Sequence, residues 1–498
     1  MTAFYFRSMK GQRALARAKD IVCDIIEELA NLQKLPQPPV DDDDPFPLPR
    51  MVSVGNGQVL YVSREFDVLI SRLSSVFYDG ADTLKSRFAR DEHRNLVREA
   101  AGRALMKVDL SLSPCVSAGR ALADIESECE RVIQHNFTRA PKEYAFGCTL
   151  FASRVVEAFD IGPVRFEPRE VWLQRKASDG KSARIVDGGQ IERFDHNIAD
   201  GPVSLTTQRR ILRRWGGKAL QKRKSSYDSI NEEDIVRAIG ESSYVCSVKA
   251  AGLGSKLGHD RALQSARLAL ATVALIWEVP SKALDGMNLL YDRTLRQHHS
   301  LSFTSDGLML GGSSTSGMQR DAWASSTELQ SYFSGYSKIF EASGNAIGWF
   351  LGPFYEYDNP EVLNVLAQAL LWFHDGCRDL TDLKAIVCFA SCMDILASGA
   401  GRKGIRELIE SRLATGADKK IRDGLTISDA IDLIYDTGRN RFLHGPRQKG
   451  QHVWSDQLGH DWSDTRELAE RIARLCLITC LEWAADNPAC NDPEQLRK

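Results

Sequence analysis

Apolar residues recur every three or four positions over most of this chain, a spacing that predicts a mainly helical protein. Near the amino end, Ala18, Ile21, Ile25 and Leu29 share one face, so residues 1–34 are predicted to form an amphipathic helix. Near the carboxyl end, the same spacing predicts a compact all-helical bundle within residues 344–486. Its predicted helices are 360–375, 380–397, 402–414, 427–444 and 463–485.

The pattern between these two helical ends is mixed. Residues 35–50 contain six prolines and four consecutive aspartates, which predict an extended linker. Residues 51–340 are predicted to be an α+β region with a sensing or regulatory role, with a division into two subdomains near residue 160. Helices are predicted at 118–132, 144–159, 205–223, 231–240 and 258–278, strands at 52–62, between Val164 and Phe194 and at 299–310, and a loop at 311–317. The expected fold class is therefore mainly α and multidomain, with an α+β amino-terminal portion followed by the helical bundle.

Composition adds the number of domains and limits the partners. A chain of 498 residues, at roughly 150 residues per domain, is expected to contain two to four domains. Basic residues number 64 and acidic residues 66, so the net charge is −2. The protein as a whole therefore does not attract nucleic acid, and any such binding must come from local basic patches.

The cysteines and the apolar runs predict the compartment. The 11 cysteines lack the spacing of a disulfide framework, and no secretion signal precedes them. We therefore expect free thiols and a cytoplasmic location. The longest apolar runs, such as Leu268–Trp277, are shorter than the roughly 18 residues that a membrane span needs. The run Asp41–Asp44 is expected to be a solvated face rather than a metal site, and no metal or cofactor is predicted.

The residues best suited to chemistry lie near the carboxyl end, at Arg439, Asn440 and His444. They close the predicted helix 427–444, which Thr426 is expected to cap and which ends at a Gly-Pro pair. A histidine can move protons near neutral pH, and an arginine can hold a phosphate. These are the groups that RNA cleavage by its own 2′-hydroxyl requires. On an ideal helix Arg439 is turned about 140° from His444, so a long side chain or a local distortion must bring the two together.

This segment resembles a HEPN domain, and it is most similar to the ApeA-like HEPN group of prokaryotic antiviral defence. The signature there is R-x4–6-H, often beginning Arg-Asn, at the end of a helix in an all-α bundle, and Arg439, Asn440 and His444 match it. Such domains often carry an acidic residue on an earlier helix, for which Asp394 is the best match. The resemblance implies a metal-independent endoribonuclease that works as a homodimer or higher oligomer. It further implies an antiphage effector held latent until a phage-derived trigger is sensed.

Two points remain open at this stage. The bundle is either this nuclease or a non-catalytic HEPN-fold module for dimerisation or nucleotide binding. A basic segment containing Arg209, Arg210, Arg213 and Arg214, with Trp215 beside it, either binds nucleic acid or forms a solvated face paired with acids such as Glu232 and Glu233. Near the motif, Arg441 and Arg447 are expected to contribute positive charge to RNA binding. Paired cysteines at 388/392 and 476/480 are expected to be core residues rather than zinc ligands.

Overall fold

The protein is mainly helical and divides into two compact units, as a computed structural model shows. The first unit holds Met1–Lys142, Ala250–Arg261 and Gly352–Tyr355, and the second holds Glu143–Lys249, Ala262–Leu351 and Glu356–Lys498. The structure describes residues 12–37, 49–55, 58–138, 142–150, 157–186, 203–292, 297–305, 309–316, 326–352, 357–422, 424–444 and 462–498. Most of the predicted linker 35–50 therefore lies outside the described residues.

The first unit is a group of helices with one small hairpin. Its elements are α1 (Gln12–Leu32), β1 (Met51–Gly55), β2 (Gln58–Tyr61), α2 (Arg64–Gly80), α3 (Asp82–Lys85), α4 (Arg90–Leu105) and α5 (Pro114–Thr138). The amphipathic helix α1 packs against α2 and α5, so that Ile25 meets Phe66 and Val97 in one core. The hairpin predicted at 52–62 is confirmed, with Met51 opposite Tyr61.

One disulfide joins two helices of this unit. Cys23 of α1 and Cys115 of α5 are bonded, with their Cα atoms 5.0 Å apart. The prediction that all cysteines are free thiols is therefore wrong for this pair, because helix packing brings together two residues that are 92 positions apart. The other nine cysteines are free.

The second unit contains most of a five-stranded sheet and of the helices that accompany it in the chain, although Lys142, Ala250 and Ser255–Arg261 belong to the first unit. In order these are β3 (Lys142–Thr149), β4 (Phe159–Ile161), β5 (Val164–Pro168), α6 (Arg169–Val186), α7 (Leu205–Trp215), α8 (Tyr227–Ile239), β6 (Tyr244–Ala250), α9 (Ser255–Ala274), α10 (Pro280–Gly286) and β7 (Asn288–Leu289). The strand order is β4-β5-β6-β3-β7. A separate hairpin follows, formed by β8 (Gln297–Phe303) and β9 (Met309–Ser316).

Both faces of the sheet are covered. Val245 of β6 packs with Trp172 and Ile211, from α6 and α7, on one face. Register places Phe159 opposite Phe166 on the other face, and there the Phe159 ring lies 4.7 Å from the Phe333 ring. Strands buried on both faces are nearly continuous apolar runs, as β6 is.

Several sequence predictions in this region are wrong. The predicted helix 144–159 is wrong in its first part, because residues 144–149 belong to the strand β3 and pair within the sheet, while 151–156 lie outside the described residues. The strands predicted after Val171 belong to the helix α6, and 187–194 lie outside the described residues. Helix α7 ends at Trp215 rather than at the predicted residue 223. Gly217, two residues after the helix end, takes a φ of +71°, a conformation typical of glycine just beyond a helix. The glycine-rich stretch predicted as a loop at 311–317 contributes to β9, because its partner strand supplies the hydrogen bonds.

The carboxyl-terminal helices pack on one another. They are α11 (Ser326–Gly335), α12 (Ser337–Leu351), α13 (Pro360–Arg378), α14 (Asp382–Leu396), α15 (Gly401–Arg412), α16 (Ile427–Ile431), a π helix (Asp432–Asn440), α17 (Arg441–His444) and α18 (Trp462–Asp486), with a short hairpin of β10 (Lys420–Arg422) and β11 (Leu425–Thr426). Helix α14 is central, since α13, α18 and the π helix all contact it. Its residues from Ala385 to Met393 are almost all buried.

The helical bundle is joined to the sheet region within the same compact unit. Glu470 of α18 is 2% exposed and accepts hydrogen bonds from the Ser281 amide at 2.6 Å and the Ser281 hydroxyl at 2.8 Å. Arg474 donates to the Leu275 carbonyl at 2.7 Å. Along the chain the two units change over at 142/143, 249/250, 261/262, 351/352 and 355/356. The domain boundaries predicted near 160 and 340 stay predictions. Sequence periodicity marks changes of secondary structure, whereas buried contacts across those changes define the unit.

Candidate active site

The helix that carries the Arg-Asn-His motif changes its winding before it reaches the motif. Thr426 caps α16, as predicted, because its hydroxyl accepts the Asp429 amide at 3.1 Å while the Asp429 carboxylate accepts the Thr426 amide at 3.0 Å. The chain then follows a π helix over Asp432–Asn440 and returns to an α turn at Arg441–His444. A π stretch inside a helix is rare and is frequently found at functional sites.

Gly438 allows the π helix to approach α14 closely. A Cβ atom at this position would lie 2.6 Å from Cγ2 of Ile386, which is nearer than real Cβ atoms come to other groups. Only glycine fits such a backbone approach. The neighbouring residue Arg439 is thereby brought beside Asp394, which lies on α14.

The Asp394 carboxylate is the centre of the cluster. It accepts the Gly401 amide at 2.9 Å and the Tyr435 hydroxyl at 3.3 Å, and it lies 3.4 Å from Nη2 of Arg439. Its side chain is only 14% exposed, so this charge is stabilised by the three donors rather than by water. Gly401 has a φ of +63°, a conformation that favours glycine and directs its amide to the carboxylate.

Arg439 is held on three sides but keeps donors to spare. Its guanidinium carbon lies 4.8 Å from the centre of the Tyr435 ring, and its Nη1 donates to Oδ1 of Asn440 at 3.3 Å. Its Nε is buried and has no hydrogen-bond partner within the described part of the chain. A guanidinium carries five N–H groups, so this geometry orients the side chain without using all of its capacity.

Asn440 connects this cluster to a second arginine. Its Nδ2 donates to the Asp436 carboxylate at 3.1 Å, and the same carboxylate lies 3.3 Å from Nη1 of Arg402. Arg402 is also paired with Asp432 at 2.8 Å. The result is a continuous polar chain along one side of the π helix.

His444 lies at the exposed end of the motif. It is one α turn beyond Asn440, and among the described residues it makes no hydrogen bond or ion pair. The structure thus brings Arg439, Asn440 and Asp394 into one network and leaves the imidazole open to solvent. Arg447 lies outside the described residues, and only the backbone of Arg441 is described.

Tyr435 is the site residue that sequence reasoning missed. Burial, and next the Asp394 charge, raise the pKa of its phenol, so it stays protonated and able to donate at neutral pH. Its spacing of four from Arg439 was the available signal, since aromatic and cationic side chains at that spacing contact each other on a helix. Asp436 lies four residues before Asn440, a spacing at which an acid and an amide side chain can form a hydrogen bond on a helix.

The basic segment 209–224 forms a second cluster, in which acids neutralise much of the charge. Glu232 is 3% exposed and lies 2.6 Å from Arg210, 3.5 Å from Arg214 and 3.6 Å from Arg223. Arg214 also pairs with Glu233 at 2.6 Å. Of the two sequence alternatives, the face paired with Glu232 and Glu233 is therefore the one observed for these arginines.

The remaining members of that segment are placed differently. Arg209 and Arg213 are exposed on α7. Trp215 is stacked by Arg169, whose guanidinium carbon lies 4.8 Å from the ring centre. One face of the indole is therefore covered by protein.

The described residues hold no group of three or more His, Cys, Asp or Glu side chains that could bind a metal ion. Cys392, Cys476 and Cys480 are buried in the bundle, and burial raises the pKa of all three thiols. In the part of the chain that the structure covers, no single helix is long and apolar enough to cross a membrane.

No family model, no curated protein and no solved structure matches this chain. The HEPN resemblance therefore depends on the Arg-Asn-His motif and its helical setting.

Proposed function

We propose that this chain is a metal-independent endoribonuclease of HEPN type. The observation that carries the proposal is the Asp394–Tyr435–Arg439–Asn440 network, which orients a guanidinium near the end of a helix that finishes at the exposed imidazole of His444. A held cation and a free proton carrier are the two groups that phosphodiester cleavage by a neighbouring hydroxyl needs. The π helix ends at Asn440, directly before the α turn that carries His444.

The proposed reaction uses the nucleophile within RNA itself. A general base removes the proton of the 2′-hydroxyl, the 2′-oxygen bonds to phosphorus, and the bond from phosphorus to the 5′-oxygen breaks. A general acid then protonates that leaving oxygen. His444 serves as one of these groups, Arg439 binds the phosphate and its growing charge, and Asn440 and Asp394 hold Arg439 in place.

The proposed reaction needs both a general base and a general acid, and one subunit supplies a single imidazole in this motif. A symmetric homodimer brings two copies of the motif together across a two-fold axis, so that one histidine acts as base and its partner as acid. The amino-terminal region is the proposed sensor, which keeps the nuclease latent until a phage-derived trigger arrives. Latency is required because an unregulated ribonuclease destroys the RNA of its own host.

The test compares wild type with His444→Ala and Arg439→Ala, each incubated with total RNA in EDTA and each expressed from an inducible promoter. We expect wild type to cleave RNA or arrest growth, and each variant to lose about 10²–10⁴-fold of the cleavage rate. Arg471→Ala is the matched control, since this arginine of α18 is 48% exposed and pairs with Glu467.

Because the proposed enzyme is latent, the same assays are repeated in phage-infected cells, which supply the trigger. Equal RNA integrity and equal growth for wild type and both variants there as well contradict the nuclease. If those variants instead change only self-association or nucleotide binding, the bundle is the non-catalytic module considered above.

A further inference from the structure

The first compact unit contains an open cavity of about 760 Å³ on α1 and α2. Arginines dominate its lining: Arg17 comes from α1, Arg64 and Arg72 from α2, and Arg50 from the residue before β1. Small and apolar side chains complete the wall, including Ala14 and Val68. We call this cavity the arginine groove.

The acids of the arginine groove are already engaged. Asp67 lies 3.2 Å from Arg50 and 2.7 Å from Arg98. Asp79 lies 2.6 Å from Arg90. Both Arg90 and Arg98 lie outside the lining, so the two carboxylates are shared with positive charge beyond the groove.

Three arginines of the lining have no ion-pair partner among the residues that the structure describes. These are Arg17, Arg64 and Arg72, and all three are exposed. Arg64 is moreover the first residue of α2, where the positive end of the helix dipole disfavours a cation. Positive groups gathered at such a place are stabilised by a bound anion.

The other polar groups of the wall are poor donors. The Ser71 hydroxyl donates to the Asp67 carbonyl, and the Ser75 hydroxyl donates to the Ser71 carbonyl. Recognition therefore falls to the guanidinium groups, whose paired N–H donors match the oxygens of phosphate.

We propose that the arginine groove binds a small ligand that carries a linear polyphosphate, either free or as part of a nucleoside triphosphate. Three guanidinium groups that no described acid pairs match an anion with several charges in a row. The volume lies within the range of small-ligand pockets, about 300–1,000 Å³. None of the described residues that line the groove is aromatic, whereas single-stranded nucleic acid is usually held by bases stacked on aromatic side chains. The polyphosphate proposal can be tested separately from the proposed nuclease, because the experiment measures ligand binding and not RNA cleavage.

The experiment titrates the full-length protein with inorganic tripolyphosphate, ATP and adenosine in low salt, followed by calorimetry. We expect tripolyphosphate and ATP to bind and adenosine not to bind. Arg17→Gln combined with Arg72→Gln is expected to weaken tripolyphosphate binding at least about tenfold, from the loss of charge-assisted hydrogen bonds. Arg13→Gln is the matched control, since it removes an exposed arginine of α1 that does not line the groove.

Comparable affinities for tripolyphosphate and ATP identify the phosphate chain as the recognised group, and tighter ATP binding adds a nucleoside contact. Absence of binding to wild type overturns the proposal, as does equal binding by the double variant and Arg13→Gln. A single-stranded RNA octamer that binds tighter than either small ligand, with the same loss in the double variant, also overturns it in favour of a polynucleotide surface. Thermal unfolding of each variant verifies that the fold is retained.

Discussion

Arg439 and Arg210 are both helical arginines beside a carboxylate, yet their surroundings differ. Arg210 lies 2.6 Å from Glu232, which is 3% exposed and shared with two further arginines. Arg439 lies 3.4 Å from Asp394, is stacked on Tyr435, and has a buried Nε with no partner among the described residues. In the first arrangement a close carboxylate pairs the arginine, whereas in the second a tyrosine ring, an amide oxygen and a more distant carboxylate hold it. The two arginines thus differ in how closely an acid approaches them.

The largest difference between the two arginines is expected when each guanidinium is removed in turn. Arg439→Gln is expected to lower RNA cleavage by about 10²–10⁴-fold, because the phosphate loses its cation. Arg210→Gln is expected to stay within about threefold of wild type. Initial rates on a labelled RNA check both. A comparable loss in the two variants means that the distinction between the clusters does not bear on activity.

A smaller effect is expected on stability. Here the cluster around Arg210 is expected to matter, because its central acid is buried. Glu232→Gln removes the buried partner of three arginines and is expected to lower the free energy of unfolding by about 2–3 kcal/mol. Glu233→Gln, at a side chain that is 58% exposed, is expected to change it by less than about 0.5 kcal/mol. Urea titration measures both values. If the two variants unfold at the same urea concentration, Glu232 does not hold the cluster together.

The smallest effect tests how Arg439 is oriented. Tyr435→Phe keeps the ring beneath the guanidinium but removes the donor to Asp394, so a loss of about three- to tenfold in kcat with little change in KM is expected. Tyr332→Phe, at an exposed tyrosine of α11, serves as the control. A change confined to KM, or equal behaviour of the two variants, is inconsistent with a positioning role for Tyr435.

The helical bundle was largely predictable. Its apolar spacing is regular, its helices are long, and Thr426 provided a recognisable start for the motif helix. The predicted helix 427–444 is present as a continuous helical run, but the π winding within it was not predicted. No local signal marks that winding, since it depends on the close approach of Gly438 to Ile386 on another helix.

The sheet region was predicted less well, for a related reason. Segments such as Lys142–Thr149 and Arg169–Val186 have short or irregular apolar patterns that fit a helix or a strand equally. Pairing with distant strands and burial on the sheet then decide between the two. For the segment 209–224, the sequence likewise left open whether its arginines pair with acids. The structure places Glu232 beside Arg210, Arg214 and Arg223.

The sequence by itself determined that this protein is mainly helical, where most of its carboxyl-terminal helices lie, and that an arginine, an asparagine and a histidine stand together at the end of one of them. Helical spacing and capping are local properties, so neighbouring residues suffice to specify them. Only the tertiary structure decided that Asp394 and Tyr435 hold Arg439, that Glu232 pairs with three arginines of the basic segment, and that Cys23 meets Cys115. Those contacts join residues far apart in the chain, and packing of the hydrophobic core sets their distances.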